Sequence, residues 1–139
     1  MCQHTRSKGV VFLSLAVAWG EVLGAHDIFI GVNSVDYSGY PDCRKNFISS
    51  FAETARLGTC AVDDNWKWVI HTPLQELSKA EIIKLGTSLG VDYSMTTSCY
   101  NPDAAGHACG HCDSCYLRHR GFIEAGVEDP TVYSVNVKN

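Results

Sequence analysis

The sequence feature that most constrains the fold is a group of four cysteines in the C-terminal third of the chain. Four of the seven cysteines lie within seventeen residues, with the spacing Cys-x9-Cys-x2-Cys-x2-Cys. A two-residue gap lets neighbouring thiolates reach one ion, and Gly110 supplies the backbone freedom for that turn. Four thiolates form a complete tetrahedral ligand set, so the spacing favours Zn²⁺. The predicted ligands are Cys99, Cys109, Cys112 and Cys115.

Other interpretations of these cysteines stay open at this point. An Fe–S cluster also uses four cysteines, and two nearby disulfides or free thiols would need no metal. His107, His111 and His119 could replace a thiolate, although four cysteines already fill the shell. Seven is an odd number of cysteines, which favours a reducing compartment, and we expect a cytoplasmic protein. Cys43 and Cys60 have no close partner in sequence and are predicted to be buried free thiols.

Composition limits the classes of partner. The chain of 139 residues is 45% hydrophobic and 19% charged, as expected for one folded domain. Its net charge of −4 argues against a nucleic-acid partner. The apolar run Val10–Trp19 follows Arg6 and Lys8 as in a secretion signal, but a strand pattern comes after it without a linker. The run is too short to span a bilayer before Glu21, so we expect a core-packed helix and no membrane association.

The pattern of the first half predicts an α/β fold. Val11–Leu23 is apolar on nearly every face and precedes Gly24, which indicates a buried helix that stops there. Ile28–Val32 is a short continuous apolar run, typical of a strand covered on both faces in a parallel sheet. Trp66–Ile70 is a second possible strand. A helix followed by a strand at this spacing is half of a βαβ unit.

Three more helices are predicted. Asp42 is expected to be the N-cap of a helix that runs to Gly58, and Ser78–Glu81 reads as a capping box that begins another. A third short helix covers Tyr116–Ala125. The residues after it, 127–139, are expected to form a tail with little to hold it.

The segment Gly31–Arg44 is the other candidate site. It follows the first predicted strand, where ligands bind in open α/β sheets. Its tyrosines could stack on a flat heterocycle, and its carboxylates could accept hydrogen bonds from ring N–H groups. A solvated turn with ordinary turn residues is the alternative interpretation.

Six stretches, in the order in which they occur, resemble the 7-cyano-7-deazaguanine synthase family. They are Ile28-Phe-Ile-Gly-Val-Asn33, Asp36-Tyr-Ser-Gly-Tyr-Pro-Asp-Cys-Arg44, Thr72-Pro-Leu74, Leu77-Ser-Lys-Ala-Glu-Ile-Ile83, Ser98-Cys-Tyr100 and Cys109-Gly-His-Cys-Asp-Ser-Cys115. The resemblance extends from about Val10 to Tyr133. It divides the chain into an N-terminal segment 1–9, one α/β domain 10–133 with its zinc site at 99–115, and a tail 134–139.

The resemblance implies a fold and a reaction. The fold is a Rossmann-like sheet of the adenine-nucleotide alpha-hydrolase type (a PP-loop ATPase), here lacking its N-terminal strands, with a C-terminal zinc-binding hairpin. The activity is that of a carbon–nitrogen ligase, which uses ATP to convert 7-carboxy-7-deazaguanine and ammonia to 7-cyano-7-deazaguanine for queuosine biosynthesis. The family's zinc is structural. Full-length members carry a Ser-Gly-Gly-x-Asp-Ser loop for ATP phosphates. Because this sequence lacks that loop, it is interpreted as a partial form, and ATP and Mg²⁺ are assigned to the full-length enzyme.

The resemblance also nominates substrate-side residues, without assigning any catalytic group. They are Asp36, Tyr37, Ser38, Tyr40, Asp42 and Arg44. The expected roles are stacking by tyrosine, recognition of the guanine-like edge by aspartate, and binding of a carboxylate or phosphate by Arg44. Two other functions are kept as alternatives: a related PP-loop amidating or thiolating enzyme, and a non-catalytic zinc-binding interaction module. A homodimer is also left open.

Overall fold

The structure, a computed structural model, describes residues 8–35, 40–135 and 137. The chain divides into two compact units, Met1–Glu76 and Leu77–Asn139. Each unit is described by itself below. The assignment of residues 10–133 to one α/β domain stays a prediction.

The first unit contains a small parallel sheet. Its elements are α1 (Lys8–Leu23), β1 (Asp27–Phe29), α2 (Lys45–Gly58) and β2 (Val69–His71), with 3₁₀ turns at Pro41–Cys43 and Cys60–Val62. β1 and β2 pair in parallel, with Ile28 opposite Ile70. The α/β class predicted from the sequence is therefore confirmed. Both strands are shorter than predicted. β2 begins three residues later than predicted, and the Trp66 N–H donates to the Ala61 carbonyl in the preceding 3₁₀ turn instead of to β1.

Both helices of the first unit pack on one face of the sheet. Val17 of α1 and Ala55 of α2 share a cluster with Trp68. Leu13 of α1 and Ile48 of α2 share a second cluster. Ile28 contacts both clusters, and Ile30 and Ile70 join the second. The apolar residues of the two strands therefore form a core with α1 and α2 on the same side.

Two burial predictions for this unit are wrong. The first helix is not buried all round, because only Leu13, Val17 and Gly20 are buried while Trp19 is 66% exposed. The first strand is not covered on both faces either, since Phe29 is 71% exposed. The reason is that α1 and α2 lie on the same side of the sheet, and no described element of the first unit covers the other side.

The second unit is built on two packed helices. Its elements are α3 (Lys79–Ser88), a 3₁₀ turn (Tyr93–Met95) and α4 (Asp113–Ala125). The predicted capping box is confirmed: the Glu81 N–H donates to Ser78 Oγ, and the Ser78 N–H donates to Glu81 Oε2 at 2.7 Å. Phe122 of α4 is 2% exposed and packs edge-on against Tyr93, with ring centroids 5.2 Å apart.

A glycine sets the distance between α3 and α4. A Cβ placed on Gly121 would lie 2.8 Å from Lys79 Cβ and 3.1 Å from Ile83 Cδ1. Atoms in real structures do not approach so closely without a shift of one element. Because Gly121 carries only a hydrogen where other residues have a Cβ, α3 and α4 can approach each other as closely as they do.

Replacing Gly121 with alanine is expected to lower the free energy of unfolding by about 1–3 kcal/mol, because the added methyl group overpacks the contact between α3 and α4. Urea denaturation measures the change. Gly58→Ala is the matched control, since no atom lies within 4 Å of that Cβ and alanine favours a helix by up to about 1 kcal/mol. Equal stability of the Gly121→Ala variant and the parent would contradict the close packing of the two helices.

Candidate metal centre

The four predicted ligands come together in the second unit. The sulfur atoms of Cys99, Cys109, Cys112 and Cys115 all lie within 4.8 Å of one another. The Sγ atoms of Cys112 and Cys115 are 3.5 Å apart, and those of Cys109 and Cys115 are 4.0 Å apart. A disulfide bond is about 2.05 Å long, so these distances correspond to four separate thiols.

This spacing fits a tetrahedral zinc ion. A Zn–S bond of about 2.3 Å gives a tetrahedron whose sulfurs are about 3.8 Å apart. The observed sulfur distances lie around that value. Cys109 and Cys115 are buried and the other two are half-buried, so four thiolates would close the shell and leave no position for water.

Backbone N–H groups point at the sulfur atoms. The N–H groups of Asn101 and Cys109 both lie 3.3 Å from Cys99 Sγ. Hydrogen bonds from the backbone of His111 and Cys112 lower the pKa of Cys109 to about 6 despite its burial. Desolvation raises the pKa of Cys115. Burying both sulfurs as thiolates costs free energy unless a cation lies between them, because two neighbouring negative charges repel and lose their hydration. A metal ion supplies that cation.

Asp103 fixes the loop between the first and second cysteines. Its Oδ1 accepts the N–H groups of Ala105 and His107, and its Oδ2 lies 3.0 Å from the Nδ1 atom of His107. These bonds, first that from the His107 backbone, lower the pKa of the Asp103 carboxyl. Asp103 is not among the residues predicted from the sequence, although an aspartate followed by Ala-Ala-Gly is a recognisable turn pattern.

The start of α4 carries the last two ligands. Cys112 is the N-cap of α4, and Cys115 lies in its first turn. The positive end of the helix dipole favours negative charge at these positions. The helix begins at Asp113, three residues before the predicted start at Tyr116, so two of the four cysteines are positioned by helical geometry instead of by a loop.

The C-terminal segment is held against this centre, contrary to the prediction of a loose tail. The Ala108 N–H donates to the Val132 carbonyl at 2.9 Å, and the Ser134 N–H donates to the Ala108 carbonyl at 2.8 Å. Tyr133 packs against the cysteine cluster. The prediction failed because the partners of this segment are backbone groups about 25 residues earlier, which no local pattern reveals.

A buried ion pair ties the same segment to α4. Arg118 and Asp129 have side chains that are each 8% exposed, with the arginine Nε 3.2 Å from the carboxylate. The guanidinium also donates to Thr96 Oγ1 at 2.9 Å and to the Tyr93 carbonyl at 3.1 Å. Tyr133 Oη donates to the other carboxylate oxygen of Asp129 at 2.7 Å. Burial opposes ionisation of Asp129, but hydrogen bonds and the arginine charge outweigh it, so its pKa is lowered.

The histidines near the cysteines have other neighbours. The Nδ1 atom of His107 pairs with Asp103, and that of His111 donates to the Cys109 carbonyl at 2.7 Å. His119 lies edge-on to Tyr133, with ring centroids 6.0 Å apart. Within the described part of the chain, the grouped ligand atoms are the four sulfurs, and no histidine belongs to the group.

Three of the six substrate-side candidates are described by the structure. Asp36, Tyr37 and Ser38 lie outside the described residues. Asp42 and Arg44 line a pocket of about 600 Å³ together with Val10, Pro41, Asn46, Phe47 and Ser50. Tyr40 is half-buried and precedes the 3₁₀ turn that carries Asp42. Two of the predicted residues thus share one pocket.

Asp42 is not the N-cap of α2, as predicted, because Pro41 begins a 3₁₀ turn and α2 starts only after Arg44. Its carboxylate instead accepts the N–H of Gly9 at 2.8 Å, in the first turn of α1. The side chain is 8% exposed, and among the described residues its Oδ1 has no hydrogen-bond partner. Asp42 therefore caps a helix 33 residues earlier and turns a second carboxylate oxygen to other use.

The remaining described cysteines differ from their prediction in part. Cys43 is half-buried beside Ile48, whereas Cys60 is exposed, so the prediction of burial is wrong for Cys60. The Glu21 carboxylate near Cys60 raises the pKa of that thiol, which makes it a weak nucleophile.

None of the described helices has the length and apolar character needed to cross a lipid bilayer.

Comparison with known proteins identifies the family. The sequence model of the family described as queuosine biosynthesis protein QueC matches residues 5–126. Curated proteins named 7-cyano-7-deazaguanine synthase are similar over 94% of the chain: that of Thiobacillus denitrificans is 60% identical over 131 residues, and that of Pseudomonas syringae pv. syringae is 60% identical over 130. The match covers 58% and 57% of these relatives, so the chain spans less than three-fifths of their length. The chain belongs to the QueC family of queuosine biosynthesis proteins.

Proposed function

We propose that this chain is part of a 7-cyano-7-deazaguanine synthase, acting on 7-carboxy-7-deazaguanine, ammonia and ATP. The observation that carries the proposal is the 60% identity to proteins of that name over 94% of the chain. Two structural features support it. The four grouped cysteines can hold a metal ion that makes their part of the chain rigid. The pocket beside Asp42 and Arg44 is a polar cleft that can take a ligand.

The reaction needs activation because a carboxylate resists attack by a nucleophile. Transfer of AMP from ATP to the carboxylate releases pyrophosphate and gives an acyl adenylate, and ammonia displaces AMP to form the amide. A second ATP transfers AMP to the amide oxygen and releases pyrophosphate and one N–H proton. Loss of AMP, which carries that oxygen away, together with the second N–H proton leaves the nitrile. The full-length family enzyme uses Mg²⁺ with ATP for these steps. This chain contributes binding and orientation of the deazapurine.

The pocket supports the proposed substrate-side roles. Arg44 supplies a guanidinium suited to a carboxylate or to the phosphate of an adenylate. One carboxylate oxygen of Asp42 has no partner within residues 8–35, 40–135 and 137, and an N–H group on the guanine-like edge of the substrate would satisfy it. Tyr40, together with Asp36, Tyr37 and Ser38, completes the proposed set by stacking and hydrogen bonding.

The metal ion has a structural role in this proposal. Zn²⁺ held by Cys99, Cys109, Cys112 and Cys115 would have no open position, so it cannot activate water. It would instead fix the start of α4 and the loop before it. The family resemblance supplies three further parts of the proposal. They are the adenine-nucleotide alpha-hydrolase type of fold, a cytoplasmic location, and a chain that is either a monomer or a homodimer.

The proposed function is tested with a chimera that joins this chain to the part of the Thiobacillus denitrificans relative that it does not match. The chimera is expected to convert 7-carboxy-7-deazaguanine to the nitrile with ATP, Mg²⁺ and ammonia, whereas this chain alone is not. In the chimera, Arg44→Met is expected to lower kcat/KM about 10- to 100-fold, because a charged hydrogen bond contributes about 1.5–3 kcal/mol. Chromatography of the deazapurine products measures both.

Lys45→Met is the matched control for Arg44→Met. Lys45 forms an ion pair with Glu76 at 2.8 Å, but both side chains are more than two-thirds exposed, so kcat/KM should stay within about twofold. A chimera that accumulates the amide would favour the related amidating enzyme. A folded chimera that binds zinc but forms neither amide nor nitrile would contradict the proposed reaction.

A further inference from the structure

Gln75 is a polar residue buried in the first unit, with only 2% of its surface exposed. Glutamine usually lies at the protein surface, because burial of its carboxamide costs free energy unless both ends of the group form hydrogen bonds. Both ends are bonded here. The Nε2 atom donates to the Cys43 carbonyl at 2.6 Å, and the Oε1 atom accepts the Thr72 hydroxyl at 3.0 Å. The buried side chain therefore joins the loop after β2 to a turn that lies 32 residues earlier.

The backbone of Gln75 reaches a third segment, the loop after β1. The Ser34 N–H and the Ser34 hydroxyl donate to the Gln75 carbonyl at 3.3 and 3.2 Å. Ser34 follows β1 and Thr72 follows β2, so both loops lie at the carboxyl ends of two paired parallel strands. Ligands bind at this edge in open α/β sheets. Gln75 thus holds three segments together at the edge where a ligand is expected.

The turn that Gln75 holds carries the two charged residues of the pocket. Cys43 lies between Asp42 and Arg44 in the sequence, and both of these neighbours line the pocket of about 600 Å³. A single 3₁₀ turn has few hydrogen bonds of its own, and their geometry is poorer than in an α-helix. A further bond at Cys43 therefore restricts the backbone from which the Asp42 and Arg44 side chains extend.

A carboxamide suits this position better than side chains of similar length. The Cys43 carbonyl can only accept a hydrogen bond, so the atom that faces it must be a donor, while the Thr72 hydroxyl needs an acceptor. Ionised glutamate has no donor, and methionine offers no N–H or O–H group. We propose that Gln75 is a positioning residue for substrate binding, which acts through Cys43 to fix the Asp42 carboxylate and the Arg44 guanidinium in the pocket. This inference rests on the proposed function for the identity of the ligand.

The first test measures the turn in this chain and does not depend on the reaction. In Gln75→Met, the amides of Cys43 and Arg44 should exchange hydrogen about tenfold faster, because the turn opens locally without its bond to Gln75. The amide of Ala55, which is buried in α2, should change by no more than about twofold, so that local opening is separated from general destabilisation. The proposal is overturned if the turn amides keep their exchange rates, or if all three amides speed up equally.

The second test measures substrate binding in the chimera of this chain with the unmatched part of the Thiobacillus denitrificans relative. Gln75→Met should raise the KM for 7-carboxy-7-deazaguanine about tenfold and leave kcat within about threefold, because the lost contact positions groups that bind the substrate. Thr72→Val is a milder change, which removes only the donor to Oε1, and it should raise the same KM about threefold.

Val17→Ala is the matched control for a loss of stability alone. Val17 packs in the cluster of Ala61 and Trp68, which contains no residue of the turn, so the KM should stay within about twofold although the protein is less stable. A merely structural role of Gln75 would lower the fraction of active enzyme without changing its KM. The proposal is therefore overturned if Gln75→Met lowers kcat alone, or if Val17→Ala raises the KM equally. An inactive parent chimera would contradict the proposed function, and the exchange rates would then decide whether Gln75 positions the turn.

Discussion

Replacing Cys112 with serine is expected to remove the metal ion and to unfold much of the second unit. The parent chain should bind about one zinc ion, and the variant should bind none after dialysis. Structural zinc in small domains contributes on the order of 10 kcal/mol, which is comparable to the whole stability of a small protein. The loss should therefore be visible in the segments that the cysteines hold together, the loop after Cys99 and the start of α4.

Metal analysis combined with hydrogen exchange checks this expectation. Exchange at the amides of Ala108 and Ser134 should speed up in the Cys112→Ser variant. These amides hydrogen-bond the C-terminal segment to Ala108, and Tyr133 of that segment packs on the cysteine cluster. Cys60→Ser is the matched control, since Cys60 is exposed and lies outside the cluster. Retention of one zinc ion by the Cys112→Ser variant would contradict the ligand assignment. Iron in the parent protein would show that the four cysteines hold an Fe–S cluster and not zinc.

Loss of the buried arginine of α4 is expected to have the next largest effect. Arg118→Met should lower the free energy of unfolding by about 3–5 kcal/mol, because it leaves the Asp129 carboxylate buried without its counter-charge. It also removes the donors to Thr96 and to the Tyr93 carbonyl, so three segments lose a common contact. Urea denaturation at neutral pH, followed by far-UV circular dichroism, measures the change.

A neighbouring arginine on the same helix provides the control. Arg120 pairs with Glu124 at 2.7 Å on the exposed surface, so Arg120→Met should cost no more than about 0.5 kcal/mol. The double variant Arg118→Met/Asp129→Leu should recover a large part of the lost stability, because it removes the unpaired charge. If the Arg118→Met and Arg120→Met variants are equally stable, the buried pair does not hold the C-terminal segment.

Local patterns in the sequence predicted the features that depend on nearby residues. The Ser78–Glu81 capping box is reproduced, because both of its hydrogen bonds join residues three apart. The cysteine spacing likewise placed Cys109, Cys112 and Cys115 together, since a turn and a helical start set their distances. The resemblance to known enzymes added the family, which periodicity alone could not supply.

The features that were missed depend on contacts between distant segments. Asp42 has the side chain of a typical N-cap, but its carboxylate reaches Gly9 instead of the helix that follows. Arg118 carries no local signal in the sequence, and only folding brings Asp129 to it. The outer side of α1 was expected to be buried because apolar residues surround the helix, yet composition does not tell which neighbours are present to cover them.

The turn at Gly110 lies directly against the backbone of Val135. Its backbone has a φ of +73°, and a Cβ there would lie 2.7 Å from the Val135 carbonyl oxygen. A mutation to any other amino acid would both strain the metal-binding turn and push the chain end outward. Because the contact is with the backbone of Val135, glycine is required at position 110 whatever side chain stands at position 135.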